Sequence, residues 1–174
     1  MIALRSHTLR HKKLFEFILL TLLGVLMYVS QVIMASLPNI EIVTLLIIIT
    51  AVNFSYKSFI SVYIFVFCEI ITYGLSLWVV NYLYVWAVLV VVICLIRRVQ
   101  SVWIYTAVSG IYGLLFGTLC SIPYFITGGI TFGVTYIING LWFDILHCAG
   151  NLILTPILFK PLDFALKKAL KSAL

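Results

Sequence analysis

Charge is scarce in this chain. Of its 174 residues, 9% are charged, and the acids number only five against eleven Lys and Arg. A soluble domain is about 25% charged and roughly 45–50% apolar, whereas 64% of this chain is apolar, which excludes an ordinary soluble fold. Cysteine is equally sparse: Cys68, Cys94, Cys120 and Cys148 fall one per apolar segment with no CxxC among them, so they read as small buried hydrophobes rather than a disulfide framework or a zinc set. Also missing are a GxxxxGK[ST] loop for nucleotide phosphates, an HExxH, a GxSxG and any pairing of membrane histidines for haem. Asp144, His147 and Cys148 could in principle ligate a metal, but one short cluster without a second ligand set is a weak signal for an ion that usually takes three or four ligands. No cofactor is expected. The basic residues are too few and too scattered between apolar runs to form a phosphate-binding face, which excludes nucleic acid as a partner.

What is present is apolar sequence in long runs. A membrane-crossing helix needs about 20 such residues, and stretches such as LLIIITAV and VWAVLVVVICLI lack the alternation of a barrel strand. The chain therefore reads as an all-α integral membrane protein with six transmembrane helices: Leu14–Ala35, Ile40–Phe54, Phe59–Trp78, Tyr82–Ile96, Val102–Ser121 and Leu141–Phe159. Six spans put Arg5, Arg10, Lys12, Lys13, Lys57, Arg97, Arg98, Lys160, Lys167, Lys168 and Lys171 all on one side. By the positive-inside rule both termini are then cytoplasmic. The domains expected are a basic tail over 1–13, a six-helix body over 14–160 and a second basic tail over 161–174. The first apolar run, about 22 residues, exceeds the 7–15 of a cleavable signal and is taken as a retained span.

The segment Ile122–Gly140 is the one long external connection. Its glycines permit tight turns, while Tyr124, Phe125, Phe132 and Tyr136 keep it apolar. It reads as a re-entrant or interfacial element, and equally as a lid over an external pocket.

Because a charge at the bilayer centre costs about 2.5–3.5 kcal/mol even on insertion scales, function is sought at the intramembrane ionisable groups. Glu69 is followed at helical spacing by Thr72, Tyr73 and Ser76, and Asp144, His147, Asn151 and Thr155 share one face of the sixth span. Asp144 and His147 are close enough in sequence to pair. One reading is polar glue between helices. The other is a ligand pocket, favoured because the polar groups crowd the outer half of the spans while the inner halves are apolar, unlike a channel lined throughout. Trp78, Tyr82, Tyr84 and Trp86 surround Asn81 at an outer turn and Trp142 heads the last span. Rings beside Asn, Asp and Glu suit a flat, polar heteroaromatic ligand, although an interfacial aromatic belt is the general expectation there. The candidate ligand-binding residues are Glu69, Tyr73, Asn81, Trp142, Asp144, His147 and Asn151. Ser109, Gly113 and Gly117 form a small-residue face, suited to packing within the chain or to docking a partner subunit. An alternative function is a small intramembrane enzyme using Glu69, Asp144 and His147 as acid and base groups.

Three stretches, LPNIEIVTLL (Leu37–Leu46), WVVNYLYVW (Trp78–Trp86) and FGTLCSIPYFITGG leading to FDILHCAGNLILTPILFKPL (Phe143–Leu162), resemble the substrate-binding S component of energy-coupling factor (ECF) vitamin transporters. The resemblance runs over nearly the whole chain. It implies capture of a water-soluble vitamin or related micronutrient from outside, together with a transmembrane coupling subunit and two ATPase subunits in the lipid bilayer, and inward release as the S component topples. ATP hydrolysis would belong to the partners, so the chain itself is not expected to be an enzyme. The aromatic cup fits cobalamin, a flavin, folate or a pyridine compound, and overall resemblance leans to cobalamin. S components often carry an AxxxA-like docking pattern on the first span; this chain has none there, which leaves the Ser109, Gly113, Gly117 face as the alternative.

Overall fold

The computed structural model describes residues 2–37 and 39–172, with side chains from residue 11 onward apart from residue 38. The side chains of Arg5, His7 and Arg10, and the last two residues of the C-terminal tail, lie outside the described residues. Every regular element described is helical: α1 (Ile2–Met34), α2 (Val43–Phe54), α3 (Phe59–Tyr73), α4 (Leu77–Ile96), α5 (Val102–Cys120) and α6 (Ile122–Ser172), with short 3-10 turns at Ser55–Ser58 and Arg97–Val99. Five stretches are long and apolar enough to cross a bilayer: His11–Met34, Val43–Tyr73, Leu77–Val99, Val102–Cys120 and Ile122–Ser172.

The second of these stretches joins α2 and α3, and the chain reverses inside it. Ser55 adopts a left-handed φ of 56°, and Glu41, just before α2, lines the same cavity as Tyr73 at the end of α3. The two helices therefore run antiparallel. α2 has 12 residues, or about 18 Å at 1.5 Å per residue, and its sequence VTLLIIITAVNF is apolar on every side. A helix apolar all round belongs in the interior, and ten of its 12 residues are buried.

Paired contacts fix the direction of the other helices. α1 and α3 run parallel: the Lys57 ammonium meets Glu16 at 2.7 Å, the Ser61 hydroxyl donates to the Leu20 carbonyl at 2.7 Å, and Tyr28 bonds Thr72 at 2.7 Å. α4 and α5 run antiparallel, tied by tyrosines that donate across the interface: Tyr84 to the Leu119 carbonyl, Tyr112 to that of Val85 and Tyr105 to that of Arg97. α6 runs antiparallel to α5, with Asp144 beside Gly117 and Asn151 beside Ser109, and parallel to α2, with Asn53 donating to Asp163 at 2.7 Å. Successive helices thus alternate in direction. The turns bearing Lys57, Arg97 and Arg98 gather at the end of the bundle that also holds the start of α1 and the last lysines of α6.

Several boundaries differ from the sequence reading. α3 ends at Tyr73, where Gly74 takes a φ of 74°, and α4 begins at Leu77 rather than Tyr82. WVVNYLYVW is therefore the start of a helix, and only Gly74–Ser76 make the turn. The 122–140 segment is helical, broken only at Gly129 (φ 73°). Its aromatics explain why: the chain folds back at Gly129 and stacks Tyr124 on Tyr136 at 4.1 Å between ring centres. Phe125 lies where a side chain on Gly133 would stand. An apolar stretch that packs on itself needs no irregular backbone. α6 then runs on through Pro156 and Pro161 to Ser172, and α1 starts at Ile2, so helix covers the described part of both expected tails.

Gly24 allows α1 and α3 to touch: a Cβ there would stand 2.5 Å from the Ser61 carbonyl oxygen and 2.9 Å from the Ile64 Cβ. Backbone at that distance cannot swing aside, so Gly24→Ala is expected to destabilise the protein by about 1–3 kcal/mol. Gly140→Ala, whose Cβ meets nothing within 4 Å, is expected to leave stability unchanged or slightly raised. Thermal unfolding of both variants in detergent, followed by circular dichroism, checks the contrast.

Candidate functional site

At the end of the bundle opposite the basic turns lies a cavity of about 370 Å³. Each helix except α2 contributes to its wall, and the link before α2 closes it. Gln31 comes from α1, Glu41 from the link, Tyr73 from α3, Trp78 and Tyr82 from α4, Phe116 from α5, and Phe143 and His147 from α6. The polar floor centres on His147, whose Nε2 is 3.1 Å from the Thr44 hydroxyl and 3.5 Å from the Glu41 carboxylate. The same Thr44 hydroxyl lies 3.4 Å from Glu41. On the opposite wall the Gln31 amide donates to the Tyr82 hydroxyl at 3.2 Å.

Rings line much of the rest, and the buried Trp86 behind them completes an unbroken series. Tyr73, Trp78, Tyr82 and Trp86 follow one another at 5.5, 5.3 and 5.4 Å between centres, all edge-on. Phe116 lies 5.3 Å from Trp86 and 5.0 Å from the His147 imidazole. Edge-to-face pairs at 4.5–7 Å are favoured by the ring quadrupoles, so the lining is a mutually supported set rather than separate side chains.

A second cavity, about 420 Å³, adjoins the first and shares Asn39, Phe116 and Phe143 with it. Phe132, Tyr136 and Asn139 from the folded-back part of α6 form its outer wall, and Asp144 lies at its base. The 122–140 segment therefore walls a cavity, although as helix.

The residues singled out from sequence divide accordingly. Tyr73 and His147 line the first cavity and Asp144 the second. Glu69 is fully buried on α3, lines neither cavity, and neither carboxylate oxygen has a hydrogen-bond partner among the described residues. Asn81 is buried, accepting a 3.0 Å bond from the Tyr84 hydroxyl, and Asn151 donates to the Ser109 carbonyl at 2.9 Å; both lie within helix packing, outside the cavities. Trp142 is 64% exposed and faces away. Asp144 and His147 do not pair: Asp144 accepts from the Gly117 amide at 2.8 Å, while His147 turns to Thr44 and Glu41. Helical spacing put the two on one face, but each reaches a different neighbouring helix. Among the described residues Glu69, Asp144 and His147 share no one cavity.

The Ser109, Gly113, Gly117 face is occupied by α6. A Cβ on Gly113 would lie 2.8 Å from the Cys148 amide nitrogen, and one on Gly117 would lie 2.5 Å from an Asp144 oxygen. Ser109 is buried and bonds Thr155 at 3.0 Å. This face is not open to a partner subunit.

Sequence reasoning missed Glu41 and Gln31. The available signal for Glu41 was its position: an acid in a short link between two apolar runs, at the end of the bundle where no described Lys or Arg lies.

No protein family, curated protein or solved structure matches this chain.

The Gly117 and Asp144 pair gives a direct test of this packing. Gly117→Ala is expected to cost about 1–3 kcal/mol by displacing the carboxylate. Asp144→Ala removes the obstruction, so the double variant is expected to lose less than the sum of the two single losses, by roughly 0.5–3 kcal/mol. Unfolding titrations of the four proteins measure the coupling.

Proposed function

We propose that this chain captures a water-soluble vitamin or related micronutrient as the substrate-binding S component of an ECF-type transporter. In this reading it crosses the cell membrane six times with both termini cytoplasmic. The cavity opens outward, and a transmembrane coupling subunit with two ATPases supplies the energy. The observation that carries the proposal is the cavity of about 370 Å³ at the end opposite the basic turns, walled by Tyr73, Trp78, Tyr82, Phe116 and Phe143 and holding Glu41 and His147. Concave, largely apolar sites of about 300–1,000 Å³ with a few convergent polar groups are the usual form of small-molecule sites.

The lining also bears on the ligand. Its size, at the lower end of that range, accommodates one or two fused rings, and the adjoining cavity of about 420 Å³ extends the space past Phe116 and Phe143. Rings stacked edge-on leave faces for a flat ligand or a cationic group. Glu41, the one carboxylate in this lining, has no Lys or Arg beside it there, which favours a ligand that brings a positive charge or strong hydrogen-bond donors.

Alternating helix directions support the six-span topology, because they bring every described Lys and Arg to one end, as the positive-inside rule requires of a cytoplasmic face.

Mass spectrometry of small molecules extracted from the purified protein is expected to find a compact vitamin, and lipid alone would refute the proposal. Glu41→Gln is expected to weaken calorimetric affinity for that vitamin by roughly 10–150-fold, the range for a hydrogen bond to a charged group, with Trp142→Ala near the parent value.

Orientation is tested separately. With the four native cysteines replaced, Thr127→Cys is expected to react with an impermeant maleimide in intact cells and Lys171→Cys only after permeabilisation.

A further inference from the structure

The basic end of the bundle carries a third concavity, of opposite chemistry. A cavity of about 440 Å³ opens between the end of α2, the turn joining α4 to α5, and α6, and its lining includes Arg97, Arg98, Lys160 and Lys167. The one acid in that lining, Asp163, is already engaged: it accepts from Asn53 at 2.7 Å and pairs with Lys167 at 2.7 Å. Arg97, Arg98 and Lys160 have no carboxylate within ion-pair distance among the described residues. Three uncompensated cations around one hollow repel each other, and an anion seated between them removes that repulsion.

The hollow is built rather than incidental. Tyr105, itself buried, donates to the Arg97 carbonyl at 3.0 Å and stacks on Phe159 at 5.1 Å, which anchors the arginine turn to α5 and α6. Gln100 takes a left-handed φ of 50° to end that turn. α5 then starts at Val102, in the cavity wall, with no side-chain cap on its first amides, and such amides favour an anion.

A groove with Trp103 and Pro156 in its wall adjoins the cations. Gln100, Val102 and Lys160 also line an adjoining hollow of about 310 Å³ formed with Trp103 and Pro156. Trp103 is 75% exposed there. Tryptophan is the side chain favoured where headgroups meet acyl chains.

We infer that this basic cavity seats the phosphate of an anionic membrane lipid, with the acyl chains leaving past Trp103 and Pro156. Guanidinium groups give paired hydrogen bonds to phosphate oxygens, and basic pockets between membrane helices suit such headgroups. A soluble phosphate would use the same cations but would leave the Trp103 groove idle. The inference does not depend on what the cavity at the opposite end binds.

Native mass spectrometry of the full chain titrated with dioleoylphosphatidylglycerol or dioleoylphosphatidylcholine tests it. The anionic lipid is expected to bind at least about tenfold more tightly, and Arg97→Gln, Arg98→Gln and Lys160→Gln are each expected to weaken it by roughly fivefold, the effect of one basic residue near an anionic surface. Lys171→Gln, outside the cavity, is expected to change nothing, and the paired Arg97→Lys, Arg98→Lys variant to keep the anionic preference at lower affinity, since lysine keeps the charge but not the paired hydrogen bonds. Equal binding of the two lipids, or an equal loss with Lys171→Gln, would overturn the assignment. Displacement of the lipid by millimolar inorganic phosphate would overturn the lipid in favour of a soluble phosphate ligand.

Discussion

The close approach of α5 to α6 sets the position of everything that faces the cavity. Gly110, Gly113 and Gly117 leave no Cβ where Leu152, the His147–Cys148 backbone and the Asp144 carboxylate press against α5. Polar rungs join the two helices along this seam: Gly117 to Asp144, Ser109 to Asn151 and Ser109 to Thr155. In lipid, polar groups must find their partners within the protein, and these rungs fit only one register. A slip of one residue turns a helix by about 100° and would strand all of them. With Asp144 and Asn151 held by α5, His147 is left to face α2, where Thr44 and Glu41 meet it. The imidazole in the cavity floor is thus a consequence of the packing of its neighbours on the same buried face.

From that floor the ring series runs across α5, α4 and α3 to the cavity mouth. Trp86 is its pivot: fully buried, it touches Phe65, Tyr82, Tyr112 and Phe116. It links the lining above to the aliphatic interior below, so a displaced ring at the mouth is felt in the core. Close packing of this kind moves between discrete arrangements rather than deforming smoothly.

Long-range order in the chain was largely readable, because hydropathy and charge act at the scale of whole helices. The apolar runs located the helices, the spacing of the basic residues brought them to one end, and the stripe Asp144, His147, Asn151 and Thr155 proved to be one buried face. What escaped depended on neighbours that spacing does not name. Asp144 and His147 share a face but bond to different helices. Glu69 lies at the right depth yet behind the cavity wall, on a helix whose cavity contribution is Tyr73. Glu41 was passed over because a link residue has no periodicity to betray it. The 122–140 stretch, read as a re-entrant, interfacial or lid element, is helical because its aromatics pack on one another, and only Gly129 uses a glycine's backbone freedom to turn the chain. The small face of α5 was legible as a packing surface, though sequence alone could not say that α6 is what covers it.

The interior between the two ends bears on how such a protein could work. Val62, Phe65 and Val66 of α3 and Leu89, Val90 and Ile93 of α4 are all buried to within 1% of full coverage, and they fill the middle of the bundle between the aromatic cavity and the basic one. Opening a path along the axis would separate these side chains and forfeit the many small dispersion contacts each one makes. In lipid no expelled water offsets that loss, because apolar groups there gain little from burial itself. A bundle sealed in this way is suited to holding a ligand at one end, and carrying it across calls for work done on the chain from outside. That division agrees with the proposed reading, in which the ATPases are separate subunits and this chain contributes the aromatic cavity with Glu41 and His147 at its floor.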